Sequence, residues 1–105
     1  MRRYVTELIG TFFLVFTIGM TAVAGLAAAP IAIGCTLMVM VYMGGHISGA
    51  HYNPAVSVAI FLRGALDGSD LLPYIAAQIL GALLAGGAVL LITGSTFAPA
   101  PGADY

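Results

Sequence analysis

Asn53, Pro54 and Ala55 form an uncharged polar cluster inside a long apolar stretch. No Asp, Glu, Lys or Arg occurs between Glu7 and Arg63. An Asn-Pro pair interrupts backbone hydrogen bonding, which a membrane tolerates only where the backbone lines water or is buried in protein. The pattern therefore predicts a helix that starts inside a membrane and points its amino end at a passage.

The side chain of Asn53 is suited to two tasks at once. Asn is a favoured N-cap and Pro a favoured first helical residue, so we expect its oxygen to cap an N–H such as that of Val56. Its NH₂ group then faces outward as a donor to water or a hydroxyl, where the helix dipole adds roughly half a positive charge. The matching acceptors are predicted to be backbone carbonyls of Gly49, Ala50, His51 and Tyr52. Such a track favours neutral solutes and opposes cations and protons.

A plain turn between two membrane spans is the competing interpretation of the Asn-Pro-Ala tripeptide. The sequence that follows argues against it, because residues 55–62 are apolar or small and Arg63 comes next. Eight residues make about 12 Å of helix, less than half of a hydrocarbon core of roughly 30 Å. The segment about 54–62 is therefore predicted to be a re-entrant half-helix.

Other residues with possible chemistry suggest structural roles. Glu7 is expected either to snorkel at the membrane edge or to accept hydrogen bonds from the strained loop before Asn53. His46 and His51 are too few for a metal site, which usually has three or more ligands, so neither metal nor cofactor is predicted. Cys35 is expected to be a small buried apolar residue. No nucleophile–base pair is visible, so an enzyme is not predicted.

The composition indicates a membrane protein. The 105 residues are 61% hydrophobic and 7% charged, whereas soluble domains carry about 25% charged residues. The formal net charge is −1, so no basic patch argues for nucleic-acid binding.

Three segments are long and apolar enough to span a bilayer, which takes about 20 residues. They are residues 4–26, 31–47 and 71–92, with boundaries that are approximate. Pro30 and Pro73 are expected in the first turns of the second and third spans, where a missing N–H costs little.

The fold class that follows is an all-α membrane protein with one half-helix. Residues 1–93 are assigned to one domain, and residues 94–105 to a flexible loop or tail that is rich in Pro, Gly and Ala. Ser69 or Asp70 is expected to cap the third span.

Arginine placement predicts the orientation. Arg2, Arg3 and Arg63 fall on one side of a chain with three spans and a half-helix. The positive-inside rule then places the amino terminus in the cytoplasm and Tyr105 outside.

Together these residues resemble the aquaporin and aquaglyceroporin family, the major intrinsic proteins. The similarity lies in Glu7-x-x-Gly10-Thr11-Phe12, SGAHYNPAVS at 48–57, and Ala77-Gln78-x-x-Gly81-Ala82. The family fold has two inverted repeats, each of three helices and a half-helix, whose NPA ends meet in mid-membrane. The resemblance implies the first repeat of a cell-membrane channel for passive transport of water or small neutral solutes such as glycerol.

The resemblance also assigns roles to individual positions. Asn53, Pro54 and Ala55 match the first NPA, Gly49, Ala50, His51 and Tyr52 match its carbonyl track, and Glu7 matches a bracing glutamate. Ile33, 20 residues before Asn53, matches the second-helix position of the selectivity filter. Water channels tend to have Phe there and glycerol channels Trp, so an aliphatic residue leaves the solute open.

Length is the main departure from the family. The sequence does not contain the second repeat, with its NPA and the filter arginine. We therefore interpret the chain as a partial sequence. Its expected partners are the lipid bilayer and a second repeat or other subunits. A homotetramer is implied for the complete protein. Two alternatives stay open: a small proton-coupled multidrug transporter, which needs four full spans and has one glutamate in its first helix, and a non-functional fragment or scaffold.

Overall fold

The computed structural model describes residues 1–98 as four helices without a strand. They are α1 (Arg2–Ala24), α2 (Ala29–Ser48), α3 (Pro54–Leu62) and α4 (Gly68–Thr93). The predicted all-α fold with three long apolar helices and one short helix is confirmed. Of the predicted tail, residues 99–105 lie outside the described part of the chain.

Helix length separates α3 from the other three helices. α1, α2 and α4 contain 23, 20 and 26 residues and are apolar enough to cross a membrane. α3 has 9 residues, about 13 Å at 1.5 Å per residue, and cannot cross a core of roughly 30 Å. The chain therefore combines three candidate spans with one half-length helix.

The long helices begin two or three residues earlier than the sequence predicts, and their ends differ by one or two residues. α1 ends before Gly25, which has a left-handed φ of 61°. The N–H of Leu26 donates to the carbonyl of Thr21 at 3.1 Å, which is the six-to-one bond of a Schellman cap. That cap stops α1 at Ala24, although the apolar sequence runs on.

The start of α4 corrects two predictions. Asp67 occupies the N-cap position without a side-chain cap bond, so the prediction of Ser69 or Asp70 as the cap is wrong. Pro73 falls in the second helical turn because the helix already begins at Gly68. The carboxylate of Asp70 instead accepts hydrogen bonds from Arg3 Nη1 at 2.7 Å and from the Tyr4 hydroxyl at 2.6 Å.

The Arg3–Asp70 contact joins the amino-terminal ends of α1 and α4. Farther along, Gly19 of α1 lies against Val89 of α4, so α1 and α4 run in the same direction. α2 runs in the opposite direction, because Gly44 near its end lies against Thr6 near the start of α1. Arg63 ends α3 and is separated from α4 by a short link. All three arginines thus lie at the same end of the helix bundle.

Packing between α1 and α4 is close because Gly81 has no side chain. A Cβ at this position would lie 2.5 Å from the carbonyl oxygen of Leu8. The buried residues of α4 recur every three or four positions, as one packed face of a helix requires. They are Asp70, Tyr74, Gln78, Gly81, Ala85 and Val89.

In the described part of the chain, α2 packs along its length against α1, contacts α4 through Ser48 at its last residue, and leaves most of its surface uncovered. Its buried residues are Gly44 and Ser48 alone. Cys35 is exposed, so the prediction that it is buried is wrong for the described chain. The apolar surface around it is suited to lipid or to another protein surface.

Candidate functional site

The loop between α2 and α3 has an unusual backbone. Gly49, Ala50 and Tyr52 have φ values of 88°, 55° and 56°. Glycine adopts such values freely, whereas each non-glycine residue there costs on the order of 1 kcal/mol or more. Two of them in one short loop imply that contacts from outside the loop hold it in shape.

Glu7 supplies those contacts. Its side chain is fully buried and accepts four hydrogen bonds, so the alternative that it snorkels is wrong. Oε2 accepts from Ser48 Oγ at 2.7 Å and from the N–H of His51 at 3.1 Å. Oε1 accepts from the N–H of Tyr52 at 2.8 Å and from Gln78 Nε2 at 2.8 Å. Four donors match the acceptor capacity of one ionised carboxylate.

Tyr52 anchors the loop from its other end. The residue is 2% exposed, and its hydroxyl donates to the carbonyl of Met40 at 2.7 Å. A Cβ at Gly10 or at Gly44 would collide with the Tyr52 side chain. These two glycines, on α1 and α2, therefore open the gap that the ring fills.

Asn53 caps α3 and leaves its amide nitrogen free. Oδ1 accepts from the N–H of Ala55 at 2.8 Å, one residue earlier than the predicted Val56, because the cap closes on the second helical residue. Within residues 1–98, Nδ2 makes no hydrogen bond, and the side chain is exposed. Pro54 is the first residue of α3 and Ala55 the second.

The carbonyl groups of the loop are also unpaired. Its N–H groups turn inward, since those of His51 and Tyr52 reach Glu7 and that of Ala50 reaches Ser48 Oγ at 3.2 Å. No donor among the described residues reaches the carbonyl oxygens of positions 49–52. The loop thus combines unpaired acceptors with the unpaired Asn53 amide donor.

Several buried polar residues around this loop were not predicted as part of the site. Ser57 Oγ contacts His51 Nδ1 at 2.8 Å and accepts from Gln78 Nε2 at 2.9 Å. The Tyr74 hydroxyl donates to the carbonyl of Ser48 at 2.6 Å. Asp70, Tyr74 and Gln78 recur every four residues in α4, and that spacing in an apolar helix is the signal for a buried polar face.

A cavity of about 220 Å³ opens beside Asn53 and Pro54. Its α1 wall is formed by residues between Thr11 and Ile18, near the midpoint of the helix Arg2–Ala24. Half-helix α3 therefore begins about halfway along a candidate span, as the sequence pattern predicts for a re-entrant segment.

Ile33 is not part of this cavity. It is half-buried in α2, and at 1.5 Å per residue it lies about 22 Å along the helix from Ser48. The structure thus separates Ile33 from the polar loop by most of the length of α2.

Metal-ligating side chains do not cluster in the part of the chain that the structure describes. No group of three or more His, Cys, Asp or Glu residues there is placed to hold a metal ion. The oxygens of Glu7 are instead taken by hydrogen-bond donors.

Comparison with known proteins identifies the architecture. The profile of the family described as major intrinsic protein matches residues 1–103. The chain belongs to the major intrinsic protein family. That family is one of channels rather than enzymes, and the three candidate spans fit an integral membrane protein.

Curated relatives agree with this assignment. The chain is 42% identical over 92 residues to glycerol uptake facilitator protein-like 6 of Lactiplantibacillus plantarum, covering 85% of the chain and 43% of the relative. It is 37% identical over 102 residues to aquaporin Z of Photorhabdus laumondii, covering 88% and 44%. It is 39% identical over 109 residues to aquaporin NIP1-1 of Zea mays, covering 96% and 39%. The chain spans less than half of the length of these relatives.

Proposed function

We propose that this chain forms the first half of a membrane channel for water or small neutral solutes. The observation that carries the proposal is the arrangement of loop 49–53. Unpaired carbonyls precede an unpaired Asn53 amide donor at the amino end of a helix that begins in mid-span. Water and hydroxyl groups both donate and accept, so they match such a track, whereas the positive end of the helix dipole opposes cations.

In this proposal Glu7 is a structural brace and not a solute ligand. Its four acceptor positions are taken by groups of the protein, two of them backbone N–H groups of the loop. By accepting hydrogen bonds from the N–H groups of His51 and Tyr52, the buried carboxylate sets the direction of the loop carbonyls. Asn53, Pro54 and Ala55 then form the mid-membrane end of the half-pore.

The direct test is transport by a completed channel, defined as this chain fused to the second half of aquaporin Z from Photorhabdus laumondii. Proteoliposomes with the completed channel are expected to shrink faster in hyperosmotic buffer than empty vesicles. Rates equal to those of empty vesicles, with folded protein present, would contradict the proposal. The chain alone serves as a matched control that lacks the second half.

The alternative of a proton-coupled multidrug transporter has no supporting observation. It needs four full spans, and the described residues provide three long helices and one half-helix. A drug efflux that follows the pH gradient in vesicles would favour it. Absence of any transport by a folded completed channel would favour the scaffold alternative.

Orientation gives a separate prediction. The three arginines lie at one end of the bundle, and the positive-inside rule assigns that end to the cytoplasm of the cell. In a Cys35→Ala background, a membrane-impermeant thiol reagent added outside cells should label Ser95→Cys and leave Gly64→Cys unlabelled. Labelling of Gly64→Cys alone would reverse the topology.

Ile33 is proposed to line the narrowest part of the completed pore. The names of the relatives include both aquaporins and a glycerol uptake facilitator protein. The two solutes to compare in this channel are therefore water and glycerol. Replacing Ile33 by Trp should change the ratio of glycerol to water permeability in the completed channel, because a larger side chain narrows the constriction. Ile31→Trp, at a more exposed position of α2, is the matched control. Unchanged permeability to both solutes in Ile33→Trp would remove Ile33 from the pore.

A further inference from the structure

Ser57, near the start of α3, connects two polar side chains inside the bundle. The residue is fully buried. Its Oγ lies 2.9 Å from Gln78 Nε2 and 2.8 Å from His51 Nδ1. Within residues 1–98 the Ser57 hydroxyl has no other hydrogen-bond partner. The direction in which this hydroxyl donates therefore determines which ring nitrogen of His51 carries a proton.

Gln78 can only donate to Ser57. Its Nε2 also donates to Glu7 Oε1 at 2.8 Å, and reversing the amide would turn the Gln78 oxygen toward an ionised carboxylate, which accepts only. The NH₂ group of Gln78 therefore gives one hydrogen to Glu7 and the other to Ser57. Because Ser57 Oγ accepts from Gln78, its own hydroxyl hydrogen needs a different acceptor.

His51 Nδ1 is that acceptor. A neutral imidazole has one N–H donor and one bare nitrogen, and the partner of one nitrogen decides which tautomer is present. If Nδ1 carried the proton, the buried Ser57 hydroxyl would have no acceptor among the described residues. A buried donor without a partner is costly enough to shift the tautomer ratio by roughly five- to 150-fold. The network therefore holds His51 with a bare Nδ1 and with its proton on Nε2.

The Nε2–H group of His51 faces the polar loop. A Cβ at Gly49 would lie 3.2 Å from Nε2, so this nitrogen lies beside the first residue of the predicted carbonyl track. Nε2 has no partner in the described chain, yet the buried side-chain atoms without a partner there are Thr11 Oγ1 and Gln78 Oε1 alone. Nε2 is therefore accessible from outside the protein. Tyr74 packs against the ring of His51, with 5.0 Å between the ring centroids, and restrains its rotation.

We propose that Ser57 is a positioning residue that holds His51 in the Nε2–H tautomer. The loop then has a second hydrogen-bond donor for the solute, in addition to the amide of Asn53. A neutral imidazole supplies this donor without adding a charge, which suits water and hydroxyl groups. The tautomer follows from contacts between described residues, whereas the contact of Nε2–H with a solute rests on the proposed channel function.

Nitrogen NMR of the imidazole rings measures the tautomer directly. The full chain, with isotope-labelled histidine, is reconstituted in liposomes at about pH 8, where unperturbed imidazoles are neutral. His46 and His51 are the two histidines of the chain, and His46→Gln assigns their signals. His51 should show a protonated Nε2 and a bare Nδ1 that accepts a hydrogen bond. In Ser57→Ala the Nδ1 resonance should shift because its donor is lost, and the signals of His46 should not change.

The unchanged chain already makes the test decisive. A protonated Nδ1 of His51 in that chain would overturn the proposal without any variant at Ser57. An identical Nδ1 frequency in Ser57→Ala and in the unchanged chain would also overturn it, because Ser57 would then not be the donor. Ser57→Thr retains a hydroxyl and should keep the frequency of a hydrogen-bonded Nδ1.

Transport tests the consequence for the solute. In the completed channel, Ser57→Ala should lower the water flux by up to about fivefold, the effect of one net hydrogen bond, and Ser57→Thr should restore it. Equal flux in both variants and in the unchanged channel would overturn the assignment of Nε2–H as a solute donor. The NMR spectra are measured without flux. A folded completed channel that does not conduct would therefore reject the channel function and leave the positioning role of Ser57 intact.

Discussion

Replacing Glu7 by Gln is expected to release the loop that carries Asn53. All four partners of Glu7 are hydrogen-bond donors, two to each carboxylate oxygen. In Glu7→Gln the side-chain NH₂ replaces one of these oxygens and cannot accept from the two donors that face it. Each buried donor that is left without an acceptor costs about 1–3 kcal/mol, which is larger than the usual interhelical hydrogen bond in a membrane, about 0.6 kcal/mol. We expect a lower melting temperature of the chain in detergent and faster amide exchange at His51 and Tyr52.

Asp67→Asn is the matched control for this substitution. It makes the same change from acid to amide at an exposed residue whose side chain makes no cap bond. Its melting temperature and its exchange at His51 and Tyr52 should equal those of the unchanged chain. Normal exchange at both amides in Glu7→Gln would contradict the bracing role, even if the protein melts at a lower temperature.

The architecture was largely predictable from the sequence because length and hydropathy decide it. An apolar run of 20 or more residues leaves few options other than a membrane span. The nine residues of α3, Pro54–Leu62, are too few for a span, which identifies the half-helix. Helix starts were less predictable, since Asp67 occupies the N-cap position of α4 without a side-chain cap bond while Asp70 pairs with Arg3.

The residues of the candidate site were predictable where they lie in one short segment of the sequence. They were not predictable where residues from several helices come together. Asn53 and its neighbours are contiguous, so their polarity in an apolar stretch is visible. Ser57, Tyr74 and Gln78 become neighbours only when α3 and α4 pack together. Cys35 was misplaced for a related reason, because composition does not indicate that α2 packs along its length against a single helix of the described chain.

Replacing Asn53 by Asp is expected to damage transport more than folding. Asp caps helices as well as Asn does, and its charge suits the positive end of the helix dipole, so α3 should stay formed. An ionised carboxylate only accepts hydrogen bonds, so the donor facing the pore is lost. The negative charge also removes the barrier to cations.

Ser69→Asp is the matched control for the added charge. Ser69 is exposed in the first turn of α4, so this substitution places a carboxylate near a helix amino end but away from the loop. Water flux and conductance of the completed channel should not change in Ser69→Asp. An effect that Asn53→Asp and Ser69→Asp share would be caused by the change in net charge and not by a charge in the pore.

Osmotic shrinkage and ion conductance of proteoliposomes with the completed channel test the central claim most directly. Measured at equal amounts of folded protein, Asn53→Asp should show reduced water flux or a new cation leak relative to the unchanged channel. Normal water flux without cation conductance in Asn53→Asp would contradict the account, because it would show that Asn53 caps α3 and does not contact the solute.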